Sequence, residues 1–206
     1  MWLKSKAFPE GGSIPARYAF GRAASDSVPG TRTVFGDNIN PDLSWSAPPA
    51  ATGSLALLCV DPDAPADGDG VGQEGVVIAP ERRRTDFYHW VMIDMAPEAG
   101  AIAEGTVCRG VTIGGKAFGP TPHGLVGVND YSVWFADDPE MKGVYGGYDG
   151  PCPPWNDSIP HRYVFTLYAL DVSTLGMSGP FTGAEVRQAM QGLVLATASW
   201  TGTYRI

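Results

Sequence analysis

Two proline-dense segments constrain this chain more than any other feature. The first reads Asp-Pro-Asp-Ala-Pro at residues 61–65, and the second reads Gly-Pro-Cys-Pro-Pro at residues 150–154, followed by His-Arg-Tyr at 161–163. Prolines at this density fix the backbone shape at low entropic cost. A stiff loop that carries carboxylate, imidazole and phenol groups can build a small polar pocket. We therefore expect the functional site to form around these two segments.

Composition narrows the class of protein. The 206 residues fit one domain, spanning 1–206, and 27 glycines with 18 prolines predict many turns and few long helices. A formal net charge of -8 argues against a nucleic-acid partner, because no basic field is available to neutralise phosphates. The one basic run, Arg82–Arg84, is flanked by acidic residues, and we interpret it as a solvated loop.

The cysteines and the N-terminus bear on the compartment. Cys59, Cys108 and Cys152 form an odd set without metal-type spacing, which suits a reducing environment. The first residues lack the apolar core of a signal peptide, and no apolar run approaches membrane-spanning length. We expect a cytoplasmic protein without an integral membrane segment.

Short apolar runs predict a mostly-β domain. Buried strands are expected at 55–60, 88–95 and 163–170, and residues 193–205 have a further strand-like composition. The helix signal is strongest at Thr182 and Glu185, which form a capping box before an apolar face. Residues 21–36 are interpreted as a loop, and residues 66–75 as a mobile excursion between two strands.

The polar candidates lie where these strands begin or end. Asp61 follows the first strand, His89 shares a face with apolar residues of the second, and His161 and Tyr163 share a face at the start of the third. Each also has an ordinary structural interpretation: Asp61 could cap a turn, and the two histidines could be core histidines. Proline supplies no N–H, so the few amides that remain in the second segment, those of Gly150 and Cys152, are natural donors to an anion.

Taken together, these motifs resemble those of the phosphatidylethanolamine-binding protein family, to which the Raf-kinase-inhibitor-like proteins belong. Asp-Pro-Asp-Ala-Pro, His89 on the next strand, and Gly-Pro-Cys-Pro-Pro with His-Arg-Tyr occur in that order over about residues 14–204. The segment Asn-Asp-Tyr at 129–131 is similar to the bacterial and archaeal branch.

The resemblance implies a fold and a site. The fold is a central antiparallel sheet flanked by a smaller sheet and one or two short helices. The site is a small pocket for phosphate or phosphoryl-headgroup anions, and a cis peptide between Ala64 and Pro65 is implied as well. Matched residue by residue, the ligand-binding set is Asp61, Pro65, His89, Gly150, Cys152, Pro153, His161 and Tyr163.

The function expected from these observations is ligand binding, without a cofactor or a metal. The partner would be a small phosphorylated or anionic molecule, with regulation of a kinase or another signalling protein as a further role and a homodimer as one oligomeric state. We expect His161→Ala to weaken binding more than folding. One alternative is an enzyme that uses Asp61, His89 and His161 as an acid–base set or a metal site. Another is an inhibitor of a kinase or protease that acts through loops 66–86 and 137–147.

Overall fold

The structure is a computed structural model that describes residues 1–25 and 30–206. The strands in chain order are β1 (Leu3–Lys4), β2 (Gly21–Ala23), β3 (Thr33–Phe35), β4 (Leu43–Trp45), β5 (Ser54–Pro65), β6 (Arg84–Met95), β7 (Gly100–Ile102), β8 (Gly115–Lys116), β9 (Gly119–Thr121), β10 (Gly124–Val126), β11 (Val144–Tyr145), β12 (His161–Leu170) and β13 (Val194–Tyr204). The helices are α1 (Tyr131–Trp134) and α2 (Gly183–Ala189), and a 3₁₀ turn covers Ala16–Tyr18.

A six-stranded sheet in the order β13-β12-β5-β6-β10-β9 organises the fold. All of its neighbouring strands are antiparallel. The three strands predicted from apolar runs form its centre, as β5, β6 and β12. A smaller sheet, β1-β4-β7, and two pairs, β2-β3 and β8-β11, complete the architecture. The prediction of a mostly-β fold with a central and a smaller sheet is therefore confirmed.

The two faces of the central sheet are both covered, which explains why its strands are continuous apolar runs. Alternating side chains send Leu57 and Trp90 towards one cluster, where they pack with Leu43 of the smaller sheet. Leu58 and Val91 point the other way and pack with the apolar face of α2. Such burial on both faces is typical of strands without polar alternation.

The capping box at α2 forms as predicted. The Thr182 hydroxyl accepts a hydrogen bond from the Glu185 amide at 3.3 Å, and the Glu185 carboxylate accepts one from the Thr182 amide at 2.8 Å. Both bonds satisfy amides that the first turn of a helix leaves without partners. Within the described residues, no helix is long and apolar enough to span a membrane.

Several local predictions were wrong. The expected loop at 21–36 contains the β2-β3 hairpin, although residues 26–29 lie outside the described part. Residues 61–65 are not a loop but the end of β5, where the register with β6 shifts between Asp61 and Ala64. Such an irregularity accommodates prolines, because they cannot donate to the ladder. The Ala64–Pro65 peptide is trans, not cis.

Candidate functional site

A cavity of about 990 Å³ opens beside the ends of β5, β6 and β12. The sheet topology brings together side chains that are far apart in the chain, because β5 pairs with both β6 and β12. Seven of the eight predicted site residues line this cavity: Asp61, Pro65, His89, Cys152, Pro153, His161 and Tyr163. The eighth, Gly150, is not part of the lining.

His161 is held between two carboxylates. Its Nδ1 lies 2.7 Å from Oδ2 of Asp61, and its Nε2 lies 3.1 Å from Oδ2 of Asp157. Carboxylates only accept, so both ring nitrogens donate and the ring is an imidazolium. Burial by itself would lower the pKa of His161, but the hydrogen bonds and charges of the two aspartates outweigh it and raise the pKa above 6.5.

This geometry corrects the expected role of His161. With both ring nitrogens bound to protein carboxylates, the side chain has no N–H left to donate to a ligand. It is also 1% exposed. His161 therefore neutralises and fixes Asp61 and Asp157 rather than contacting an anion through its nitrogens, and its removal would leave two buried carboxylates without their shared cation.

Two arginines extend the network on either side. Arg84 pairs with Asp157 and donates to the carbonyl of Asp63 at 2.8 Å. Arg162 forms a two-pronged pair with the Asp63 carboxylate, at 2.8 and 2.7 Å. The interpretation of residues 82–84 as a solvated loop was thus wrong for Arg84, which starts β6 and whose side chain is only 13% exposed.

His89 is in a different state from His161. Its Nδ1 lies 2.8 Å from the carbonyl oxygen of Asp149, and since a carbonyl only accepts, Nδ1 carries the proton. Burial lowers the pKa of His89 below 6.5, although the Asp61 charge and the bond to Asp149 act in the opposite direction. At neutral pH the ring is therefore uncharged, and its Nε2 carries a lone pair.

Tyr163 carries a buried hydroxyl without a partner. Four buried side-chain polar atoms of the described chain lack a hydrogen-bond partner, and only the Tyr163 hydroxyl belongs to a residue of the cavity wall. Its ring packs edge-on against His89, with centroids 5.0 Å apart. Burial raises the pKa of Tyr163 well above 10, so the hydroxyl is protonated and can donate.

Of the two backbone donors expected at Gly150 and Cys152, the Gly150 amide has a partner within the protein. The Gly150 amide donates to Oδ1 of Asn38 at 2.8 Å, so it is not available to a ligand, and this prediction was wrong. Glycine is required there, because a Cβ would lie 1.9 Å from the Tyr18 carbonyl oxygen. Cys152 does line the cavity, but burial raises its thiol pKa to about 12, so the thiol is unreactive near neutral pH.

Away from this polar end the cavity is aromatic. Phe20 stacks on Tyr131 with centroids 4.4 Å apart, and Tyr131 stacks on Phe135 at 5.6 Å. At the edge of the cavity, Phe35 and Trp134 are 52% and 50% exposed. Within the part of the chain that the structure describes, no lysine or arginine lines the cavity.

The metal-site alternative finds no support in the arrangement of side chains. Among residues 1–25 and 30–206, no group of three or more histidine, cysteine or acidic side chains is placed to hold a metal ion. The two histidines have separate partners instead. His161 is charged and binds Asp61, whereas His89 is neutral and binds the carbonyl of Asp149.

Sequence reasoning missed Asp157, Arg84 and Asp149. Asp157 lies between the Gly-Pro-Cys-Pro-Pro and His-Arg-Tyr motifs, and its pairing depends on a contact with Arg84 across 73 positions. Asp149 is fully buried beside the Gly-Pro-Cys-Pro-Pro motif, yet nothing in its neighbours signals a buried charge. Only the proximity of each to a motif could have drawn attention to it.

Known proteins share this architecture and this sequence pattern. The profile of the phosphatidylethanolamine-binding protein family matches residues 4–205. A UPF0098 protein of Methanothermobacter thermautotrophicus is 34% identical, with 100% of this chain and 99% of the relative covered. YbhB, a UPF0098 protein of Escherichia coli, is 30% identical over 99% of both chains.

Solved structures agree with these relationships. A phosphatidylethanolamine-binding protein homologue of Chlamydia trachomatis superposes with a TM-score of 0.64 at 28% identity, covering 100% of this chain and 97% of its own. Escherichia coli YbcL, described as a new member of the mammalian family, superposes with a TM-score of 0.67 at 23% identity, covering 100% of this chain and 98% of its own. This likeness supports the fold. The chain belongs to the phosphatidylethanolamine-binding protein family.

Proposed function

We propose that this protein binds a small molecule through an oxyacid group, such as a phosphoryl headgroup, at the polar end of the cavity. The apolar part of the same molecule would lie against the aromatic wall. The observation that carries the proposal is the Tyr163 hydroxyl, a buried donor in the cavity wall without a partner in the described chain. A buried polar group of this kind costs free energy unless a ligand or water satisfies it.

The charges of the ion-pair cluster at the polar end are balanced, so this cluster does not repel an anionic ligand group. Three carboxylates there, of Asp61, Asp63 and Asp157, are matched by three cations, those of His161, Arg84 and Arg162. The repulsion that Asp61 would otherwise exert on an anion is therefore offset by its pair with His161. The phosphatidylethanolamine-binding family name points to the same class of headgroup.

The same geometry favours binding over acid–base catalysis. His161 cannot exchange a proton with a ligand while both of its nitrogens are held by carboxylates. That leaves His89 as the one titratable ring with a nitrogen free of these bonds, and a single buried imidazole without a nucleophile does not make an acid–base pair.

Isothermal titration calorimetry with three probes tests the proposal. Phenyl phosphate combines both recognised features, inorganic phosphate keeps only the oxyacid, and phenol keeps only the ring. We expect phenyl phosphate to bind more tightly than either of the others. Equal binding of phenol and phenyl phosphate, or no binding of any phosphoryl probe, would overturn the proposal.

A regulatory role towards a kinase or another cytoplasmic partner would build on this site. Residues 67, 68, 71 and 72 of the loop between β5 and β6 belong to the cavity lining, so an occupied cavity would change the surface that this loop presents. Asn156 ties the loop down, since its amide donates to the carbonyls of Gly70 and Val76 at 2.8 and 3.0 Å. Capture of a partner with and without phenyl phosphate would measure this coupling.

A further inference from the structure

The neutral histidine of the cavity is held by an unusual buried network centred on Asp149. This residue is 0% exposed. Its carboxylate accepts hydrogen bonds from the side-chain amides of Asn38, at 2.7 Å, and Asn129, at 2.8 Å. Lys116 completes the set, with its ammonium 2.5 Å from Oδ1. A buried carboxylate is costly unless cations and hydrogen-bond donors such as these compensate it.

Side chains of the network also form hydrogen bonds with the backbone on both sides of Asp149. Lys116 donates to the carbonyl of Tyr148 at 2.7 Å, and the Gly150 amide donates to Oδ1 of Asn38 at 2.8 Å. The main chain of Asp149 itself contacts His89 twice: its amide donates to the His89 carbonyl at 3.0 Å, and its carbonyl accepts from Nδ1 at 2.8 Å. The position of that carbonyl is thus fixed by Lys116 on the preceding peptide and by Asn38 on its own peptide.

We propose that Asp149 is a positioning residue that locks His89 as the Nδ1–H tautomer, so that the ring presents a hydrogen-bond acceptor, Nε2, to the ligand. The pocket then pairs a donor, the Tyr163 hydroxyl, with an acceptor. The ligand group that fits this pair is an oxyacid that carries one proton, such as a singly protonated phosphate monoester.

A proton balance follows from this arrangement, and it rests on the proposed function. At pH 7.5 a phosphate monoester is mostly a dianion, because its second pKa is about 6. Nε2 of the neutral His89 ring and the oxygens of the dianion are both acceptors, so a hydrogen bond between them needs one more proton. Binding therefore takes up about one proton from solvent, whether the ring or the phosphate carries it. The charged or titratable groups facing the ring are those of Asp61, Tyr131, Asp149, His161 and Tyr163.

Asparagine at position 149 cannot reproduce the network. One carboxylate oxygen would become an amide that faces the donor group of Asn38 or Asn129. Neither amide can turn over without loss, since Oδ1 of Asn38 holds the Gly150 amide and Oδ1 of Asn129 holds the Tyr131 amide. Asp149→Asn should therefore loosen the carbonyl that fixes His89 while changing the side-chain volume little.

Nitrogen-detected NMR of the full-length chain with ¹⁵N-labelled histidine tests the tautomer directly and needs no ligand. At pH 7.5 we expect Nδ1 of His89 to carry the proton and Nε2 to be bare, while both nitrogens of His161 are protonated. A His89 ring protonated at Nε2 instead would overturn the inference. Because this readout is independent of binding, a failure of every phosphoryl probe to bind would count against the proposed function alone.

Variants test the part played by Asp149. Asp149→Asn should give a mixture of His89 tautomers while the His161 signals stay in place; an unchanged single tautomer would contradict the role. Asp130→Asn, at a partly buried aspartate whose carboxylate is not bonded to Asp149, Asn38, Asn129 or Lys116, is the matched control and should keep the wild-type tautomer. If Asp149→Asn does not fold, Asn129→Ala removes one donor and should produce the same mixture to a smaller extent, whereas a wild-type spectrum would contradict the role.

Calorimetry with phenyl phosphate in buffers of different ionisation enthalpy measures the proton balance. We expect uptake of about one proton per ligand at pH 7.5. Binding without proton uptake would show that His89 does not act as the acceptor.

Discussion

Nδ1 of His161 lies 2.7 Å from Oδ2 of Asp61, although the two residues are 100 positions apart in the chain. The contact exists because β12 and β5 are neighbours in the central sheet, so that the start of one meets the end of the other. It makes His161 part of a buried ion pair, and it assigns stability rather than ligand contact to His161.

Replacement of His161 should destabilise the fold. His161→Ala leaves Asp61 and Asp157 buried without their shared partner, and breaking a buried pair in this way costs about 3–5 kcal/mol. Urea denaturation followed by circular dichroism measures the change in the free energy of unfolding. His123→Ala, in a turn, serves as the control and should change it by less than about 0.5 kcal/mol. A loss below about 1 kcal/mol for His161→Ala would contradict the network.

Stability should depend on pH through the same histidine. The folded pKa of His161 is raised above the ordinary 6.5, so the folded state holds the proton more tightly than the unfolded state. The contribution of His161 is fully present below pH 6.5 and is lost as the pH rises through the folded pKa. The difference in unfolding free energy between wild type and His161→Ala should therefore shrink from pH 6 to pH 9. A constant difference would show that His161 is not charged in the fold.

At acid pH the carboxylates give stability the opposite pH dependence, because it falls as the pH falls. Burial alone would raise the pKa values of Asp157 and Asp63. Hydrogen bonds from Arg84 and His161 lower the pKa of Asp157, and the hydrogen bonds of Arg162 lower the pKa of Asp63. Their contributions are present above the ordinary value of 3.8 and are lost as the pH falls through their folded pKa values. We expect Asp157→Asn to flatten the loss of stability between pH 4 and pH 2, as measured by urea titrations. If Asp157→Asn loses stability between pH 4 and pH 2 as steeply as wild type, the ion pairs of Asp157 do not form as described.

The aromatic edge of the cavity should contribute to affinity for ligands with an apolar part. Trp134 is half-exposed at this edge, so Trp134→Ser should cost little stability. Loss of a partly buried contact is worth about 1 kcal/mol, or about fivefold in the affinity for phenyl phosphate. Inorganic phosphate should bind as before. Trp2→Ser removes a similarly exposed tryptophan outside the lining and should leave both affinities unchanged. If both variants weaken phenyl phosphate binding equally, Trp134 does not contact the ligand.

The sequence allows the centre of the fold to be predicted, because it is encoded locally. The apolar runs of β5, β6 and β12 and the Thr182–Glu185 capping box each depend on residues close together in the chain. The motif residues Asp61, His89 and Tyr163 were also expected to meet in one pocket, and they line one cavity.

The state of each site residue could not be predicted, because it depends on partners far away in sequence. Asp157 is only four positions before His161, but nothing in the sequence indicates that it and Asp61, 100 positions earlier, bind both ring nitrogens. The Gly150 amide looks available until Asn38, 112 positions earlier, is seen to accept from it. Arg84 resembles its two neighbours in a basic run, and only its contact with Asp157, 73 positions later, distinguishes it from them.

The hydroxyl of Tyr163 gives the most direct test of the central claim that this cavity binds an oxyacid group. Tyr163→Phe removes one oxygen that has no partner in the described chain, so the free energy of unfolding should fall by less than about 1 kcal/mol or rise. Tyr148→Phe is the matched control: its hydroxyl donates to the Tyr18 carbonyl at 2.7 Å outside the cavity lining, so it should lose stability but keep its affinity.

Calorimetry with phenyl phosphate on wild type, Tyr163→Phe and Tyr148→Phe is the deciding measurement. A hydrogen bond to a charged ligand group is worth about 1.5–3 kcal/mol, so Tyr163→Phe should weaken binding about tenfold to a hundredfold, and Tyr148→Phe should bind like wild type. If Tyr163→Phe binds phenyl phosphate as tightly as wild type, the hydroxyl does not meet the ligand and the account of the cavity is wrong.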